Sequence, residues 1–399
     1  MPFWADHAWD HEYGGFLTRL DRQGRRLEDH EKILMMQVRM IASLSWAHLH
    51  GLNDRGYLDL ATRGFEFLER HFWDHANGGH HFSVTRDGRP LSTRKNTDFH
   101  AYALTGLVAF HEASGREDAR RAAERVFEVL KTQAADPPFG FLEDFDGQPW
   151  EALNAEQMHL SGNGLKTIDM HTNVLEGYMY LARVTREARH LEALEEVLLL
   201  ILKRGLQSEG CTITAFDQAW NPLPDGQGRF TTSYGLNVEL AWLLLEAAEV
   251  LGRHAVECEK AAVRLVDHAL AFGFDQERGG LAAYGPVSGS TVEASELDED
   301  RLLRPWWTQA EMMNALLALH AKTSETKYLE AFVKLWRWIW RHQIDHEFGD
   351  WYQDVTWPHG VPTTTDKGNE FKTAFHVSRA LIRGVEGLEA LRRHQETSP

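Results

Sequence analysis

Cysteine is almost missing from this 399-residue chain: Cys211 and Cys258 stand far apart and outside any metal-ligand spacing. That excludes a disulfide-stapled scaffold and fits a reducing compartment, so the cytoplasm is the expected location. Long apolar runs are missing too. No window reaches the ~18 uninterrupted apolar residues of a membrane helix. The start, Met1-Pro2-Phe3-Trp4-Ala5-Asp6-His7, has neither the basic opening nor the apolar stretch of a signal peptide. Positive charge is scarce: 42 Lys and Arg face 59 Asp and Glu, giving a net charge of −17 with no basic block. Nucleic acid and anionic membrane are therefore poor partners. There is no glycine-rich phosphate loop, no His-Glu-x-x-His and no nucleophile elbow, and no histidine or cysteine cluster has metal-ligand spacing. Neither a metal nor a cofactor is expected. Proline is sparse, at 12, and no Pro/Ser-rich linker or low-complexity run divides the chain, so residues 1–399 are expected to form a single domain.

What the chain does have is a repeat. The turn-rich segment Asp10-His11-Glu12-Tyr13-Gly14-Gly15-Phe16 returns as Asp74-His75-Ala76-Asn77-Gly78-Gly79-His80, as Asp275-Gln276-Glu277-Arg278-Gly279-Gly280-Leu281, and as Asp345-His346-Glu347-Phe348-Gly349-Asp350-Trp351. Weaker versions stand at 137–141 and 210–214. Asp10 and Asp74 are 64 residues apart, Asp275 and Asp345 are 70 apart, and Asp10 to Asp345 makes five intervals averaging 67. After each turn come two stretches of helical apolar spacing, as in Leu34, Val38, Ile41 and Leu44. A short hairpin plus two helices fits a unit of that length. Six such units closing on themselves make an all-α (α/α)6 barrel, with six inner helices, six outer helices and short β-hairpins in the loops. A closed ring is preferred to an open superhelix because both end units carry the same turn and neither looks like a polar cap. The Gly-Gly pairs are assigned tight turns with positive φ. The tail from Arg392 is polar and expected to fray.

Equivalent points near the start of each inner helix converge on one pocket. Stepping back from His376 by about one repeat at a time selects Glu311, Leu236, His171, His100 and Arg39. Five of these six are polar or ionisable inside apolar helices, which is costly unless they share a wet cavity or pair with each other. Arg39 offers a fixed charge and a fork of donors for an oxyanion. The histidines suit proton transfer near neutral pH. Glu239 and Glu311 are candidates to orient them or act as acids. Trp306, Trp307, Tyr234 and Phe371 lie just before or at the inner helix starts, where they can stack on a sugar face. Asn237, beside Glu239, is placed with the substrate-binding set.

Taken together, Asp10 to Phe16, Gln37-Val38-Arg39, Lys166-Thr167-Ile168-Asp169-Met170-His171 with Leu175-Glu176, Trp306-Trp307-Thr308-Gln309-Ala310-Glu311, and Lys367-Gly368-Asn369 through His376 resemble the N-acylglucosamine 2-epimerase superfamily, over nearly the whole chain. The resemblance implies an (α/α)6 barrel acting on the open-chain form of a reducing mono- or disaccharide, as a monomer or homodimer. It makes Arg39 the arginine that steadies an enolate-like intermediate. It makes His376 one of two histidines that move the proton at C2. The second histidine is expected in the fourth inner helix, in a stretch like Ser-Tyr-Gly-His-Asp-Ile-Glu, but this chain reads Ser233-Tyr234-Gly235-Leu236-Asn237-Val238-Glu239. The third helix has His171 and then Asn173 where two histidines are usual. Three readings stay open. In the first, a 2-epimerase takes its second proton from His171 or His100. In the second, an aldose–ketose isomerase works with one base. In the third, the barrel has lost this chemistry and binds or hydrolyses carbohydrate, with Glu239 and Glu311 as the carboxylate pair.

Overall fold

Alternate helices of this chain are buried on nearly every side, the last of them over its N-terminal part, and such helices have to be covered all round. They are α2 (Leu34–Leu49), α4 (Thr97–Ser114), α6 (Ile168–Thr185), α8 (Tyr234–Leu251), α10 (Trp306–Thr323) and α12 (Phe375–Thr397). Between them come amphipathic helices: α3 (Tyr57–His71), α5 (Glu117–Val129), α7 (Ala188–Leu200), α9 (Ala255–Phe272) and α11 (Thr326–Trp338). In α5 the buried residues are Ala119, Ala122, Ala123, Val126 and Phe127, the one-sided stripe of a helix with water on its other face. A short opening helix, α1 (Pro2–His7), buries Phe3 and Trp4. The computed structural model describes residues 1–27, 31–52, 55–147, 150–153, 166–225, 228–288 and 302–397, with twelve α-helices among them.

Each of these helices packs on the next, from α2 through α4, α6, α8 and α10 to α12, and α12 packs back on α2. The inner ring is therefore closed. One continuous core runs through it, from Phe3 and Trp4 to Ala380 and Ile382. The outer helices α5, α7 and α11 each end in a π-helical turn, at Leu130–Ala134, Ile201–Gly205 and Ile339–Gln343. The last helix, α12, runs to Thr397, and residues 398–399 of the tail lie outside the described residues.

The strands join neighbouring units. The residues just before each inner helix pair antiparallel with a strand of the next unit: Glu31–Ile33 with Ser83–Thr85, Lys95–Asn96 with Asp144–Phe145, Lys166–Thr167 with Ala215–Phe216, Thr231–Ser233 with Tyr284–Pro286, and Leu303–Pro305 with Asp354–Thr356. A bridge between Leu20 and Gly368 closes the circle.

Charge follows the same scheme. The aspartate that opens each repeated turn caps its own backbone: Asp10 accepts from the Glu12 and Tyr13 N–H groups, and Asp345 from those of Glu347 and Phe348. In four units an aspartate of the turn also meets a buried lysine ahead of that unit's inner helix. Lys32 lies 2.9 Å from Asp10, Lys95 3.0 Å from Asp74, Lys166 2.7 Å from Asp136 and Lys367 2.9 Å from Asp345. The polar turn of the following unit completes the brace. Arg86 donates to Asp10, and at the seam Arg22 donates to Asp345 at 2.8 and 3.0 Å. Burial alone would raise the carboxyl of Asp10, but the bonds from Arg86 and Lys32 outweigh it and hold it at about 2. A carboxylate depressed this way contributes stability above its unfolded value near 3.8 that is lost as pH falls toward 2.

Asp345→Ala strands Lys367 and loosens the seam between the first and last units. It is expected to cost about 3–5 kcal/mol, as breaking a buried pair from one side does, and to lower the thermal midpoint clearly. Arg89→Ala, which removes an exposed pair with Asp87, is expected to leave the melt unchanged.

Candidate active site

At the N-terminal ends of the inner helices the ring opens into a cavity of about 560 Å³, within the usual range for a small-molecule site. Its lining includes Arg39, Tyr102, Asn173, Leu236, Glu239 and His376, with Asp98, Asp169, Trp306, Trp307 and Phe371 around them. Arg39, Tyr102, Asn173, Glu239 and Glu311 stand at the same place in their helices, each five residues past the first, and His376 joins them from the first turn of α12. The stepping that selected His171 and His100 is two residues out of register with these. Two residues are about 200° of helical rotation, so the side chains at the selected positions leave on the opposite face.

His171 and His100 accordingly do not line the cavity. Both are fully buried behind the wall, where each ties its helix to the preceding turn. The backbone N–H of His80 donates to His100 Nε2 at 2.8 Å, and that of Phe141 to His171 Nε2 at 3.2 Å. The Nδ1 atoms sit 2.6 and 2.8 Å from the Asn96 and Thr167 carbonyls. Burial pulls both imidazoles down to about 3. Gln37, Asn237 and Gln309 play the same part, accepting from the N–H groups of Phe16, Thr212 and Leu281. Asn237 is thus behind the wall as well. The turn glycines make room for these contacts: Gly79 has φ near +71°, and a Cβ there would stand 2.7 Å from His100 Nε2. Tyr234 is also buried outside the cavity lining, with its ring 5.9 Å from that of His268.

His376 does face the cavity. Thr373 accepts from the Phe375 N–H at the start of α12, and Asn369 accepts from Phe371 and Lys372 in the loop before it. His376 Nδ1 lies 2.6 Å from Glu311 Oε1. With a carboxylate there, Nδ1 carries the hydrogen and Nε2 turns a lone pair to the cavity. Trp306 and Trp307 flank the imidazole at 6.4 and 6.1 Å between centroids.

Glu311 is fixed in turn by Arg379, one helical turn beyond His376. Arg379 donates to Glu176 at 2.6 Å, to Glu239 at 3.0 Å and to Glu311 at 2.7 Å. One buried cation thus answers three carboxylates from α6, α8 and α10. Burial would raise Glu311, but Arg379 and the bond from His376 overturn that and hold it well below the usual carboxylate range. Glu239 is pushed well up by burial and by Glu311, against the pull of Arg379. Glu239, Glu311 and His376 offer ligand atoms within 4.8 Å of one another, but the guanidinium of Arg379 already holds both carboxylates.

Arg39 lies over the Tyr102 ring at 4.0 Å and donates to the Phe371 carbonyl at 2.8 Å. Its Nε is buried without a partner. Phe371 itself, 37% exposed, stands at the rim. Opposite α12, Asn173 donates to Asp98 at 2.6 Å and to Asp169 at 3.1 Å.

A carboxylate-held imidazole, an arginine with a spare donor and indole walls make an acid–base site for a polar, uncharged molecule on an (α/α)6 barrel. The chain matches the family described as N-acylglucosamine 2-epimerase (GlcNAc 2-epimerase) over residues 14–380, and it belongs to that family. It is 27% identical to the cellobiose 2-epimerase of Bacteroides fragilis over 386 residues, covering 96% of this chain and 94% of that one. The solved cellobiose 2-epimerase from Spirochaeta thermophila superposes with a TM-score of 0.83 at 29% identity, covering 98% of this chain and 94% of that one. A D-mannose isomerase structure shares the fold at a TM-score of 0.84 and 21% identity, covering 97% and 95%.

Burial draws His376 down to about 4, against the opposing bond and charge of Glu311. An imidazole with a folded value below its unfolded 6.5 takes up protons more readily when unfolded. Its contribution to stability is therefore intact above pH 6.5 and lost as pH falls toward 4. In an NMR titration the His376 ring resonances are expected to move with a midpoint near 4; a midpoint at or above 6.5 would contradict the burial account.

Proposed function

We propose that this protein moves the proton at C2 of an open-chain reducing sugar, through an enediolate, as a sugar 2-epimerase or aldose–ketose isomerase. The observation that carries the reading is the Glu311–His376 contact at 2.6 Å, with the far nitrogen of the imidazole open to the cavity beside Arg39. A carbonyl at C1 acidifies the C2 hydrogen. His376 Nε2 takes that proton, and the C–H electron pair moves into the C1–C2 bond. The carbonyl oxygen becomes an oxyanion, for which Arg39 has donors to spare. Return of a proton to C2 on the other face gives the 2-epimer, and return to C1, with the O2 hydroxyl proton passing to O1, gives the ketose. Both outcomes share the first step.

The hydrolytic alternative loses support from the same geometry, because Glu239 and Glu311 both hold Arg379 and neither is a free acid across a scissile bond. Trp306, Trp307 and Phe371 are assigned to stacking on the sugar, a mono- or disaccharide. We assign the whole chain one catalytic role, as a monomer or homodimer, since a single chain supplies all six wall helices. Cytoplasmic residence is the reading that two buried, unpaired cysteines support. Among the described residues no helix is long and apolar enough to cross a membrane.

Proton NMR of glucose, mannose, cellobiose and N-acetylglucosamine incubated with the enzyme in D2O is expected to show deuterium at C2 of at least one. His376→Ala should slow that exchange by about 10²–10⁴-fold, and Arg39→Ala by about 10²–10³-fold. No exchange with any of the four, or full exchange by His376→Ala, would sink the reading.

A further inference from the structure

Inversion at C2 needs a proton donor on the face away from His376, and Leu236 cannot be that donor. Going round the ring in packing order, α6 stands three places from α12 and therefore opposite it, with α4 beside α6. The first turns of α4 and α6 carry Asp98 and Asp169, and both residues line the cavity. We propose that the Asp98–Asp169 carboxyl pair is the second acid of this site, delivering a proton to C2 from the face opposite His376. This rests on the C2 proton-transfer reading and deepens it.

Three observations carry the proposal. First, the two carboxyls converge: the Asn173 side-chain amide donates to one oxygen of each, at 2.6 and 3.1 Å. Two carboxylates held this close resist ionising together, so the pair retains a proton at neutral pH. Burial and then Asp169 push Asp98 up to about 7, against Arg39 and Asn173. Second, Asn173 Oδ1 is buried without a partner, and the residue is 2% exposed. A hydroxyl-bearing ligand or the protonated carboxyl itself can supply the missing donor. Third, the other cavity-lining acids are committed. Glu239 holds Arg379, Asp225 holds Arg229 at 3.0 Å, and Glu143 accepts from Thr167 at 3.3 Å. Asp169 is exposed to the cavity and Asp98 is 8% exposed beside it, which gives the pair access to a bound sugar.

The proton count balances. His376 gains the proton leaving C2, the pair gives one to C2, and the carbon skeleton is unchanged apart from its configuration. The enzyme is left with protonated His376 and an ionised pair, which exchange with water through the open mouth before the next turnover.

The test separates exchange from inversion. Each substrate is incubated in D2O with wild type, Asp98→Asn and Asp169→Asn, and both C2 deuteration and 2-epimer formation are followed. Either substitution removes the like charge that keeps the remaining carboxyl protonated. In both variants 2-epimer formation is expected to fall at least about 10²-fold more than C2 exchange does; Asp169→Glu is expected to recover part of the inversion. Retained exchange also shows that the variant site is folded. Four outcomes overturn the proposal: inversion kept by both Asn variants, exchange lost by both, no recovery of inversion by Asp169→Glu, or a wild-type enzyme that exchanges C2 but forms only the ketose. A wild type with no exchange at all removes the C2 reading itself.

Discussion

The guanidinium of Arg379 is the contact on which the site depends. It comes from the helix that closes the ring, and it meets carboxylates from three other inner helices at 2.6 to 3.0 Å. Four helices are therefore held in one register by a single cation. Buried ion groups of this kind add little stability relative to an apolar filling of the same volume, but they penalise any arrangement that leaves a charge alone. The consequence for chemistry is indirect and large. Arg379 keeps Glu311 ionised inside the ring, and ionised Glu311 fixes the tautomer of His376. The base thus points its lone pair into the cavity.

Charge balance explains the rest of the pocket's character. Arg379 answers Glu311, Glu239 and Glu176 together, and Glu239, Glu176 and Asp98 are raised, burial being the first cause in each. A wall built this way presents donors and acceptors with little net charge, which suits a neutral polyol better than an anion. Arg39 is the exception, and it sits where an oxyanion would develop. Tyr102 beneath it supplies a ring face at 4.0 Å, which holds the guanidinium without neutralising it.

Much of the ring could be read from the residues. Repeated Asp and Gly-Gly turns 64 to 70 residues apart carried the closed six-unit architecture, and the apolar spacing of Leu34, Val38, Ile41 and Leu44 falls within α2. Arg39, Glu239, Trp306, Trp307, Phe371 and His376 are cavity-lining as expected, and Glu311 lies directly under His376. His100, His171, Asn237 and Tyr234 are not, for one physical reason. Repeat lengths vary by several residues, and a helix reverses its facing in two, so stepping by an average period cannot decide which side a residue takes. A sharper signal was present: Glu176, Glu239 and Glu311 each interrupt an apolar helix and require a buried cation, and Arg379 is the arginine of the apolar run 377–381. The turn aspartates were a second missed signal. Each pairs with a basic residue before an inner helix in four of the six units, through Lys32, Lys95, Lys166 and Lys367.

The claim at the centre is that His376 addresses C2 of a linear sugar lying across the ring. A crystal structure with an acyclic hexitol bound measures this directly. C2 of the ligand is expected about 3–3.5 Å from His376 Nε2, with O1 against Arg39 and the far face of the chain toward Asp98 and Asp169. A hexitol seated in the cavity with its C1–C2 end at the mouth, beyond reach of His376, would contradict it.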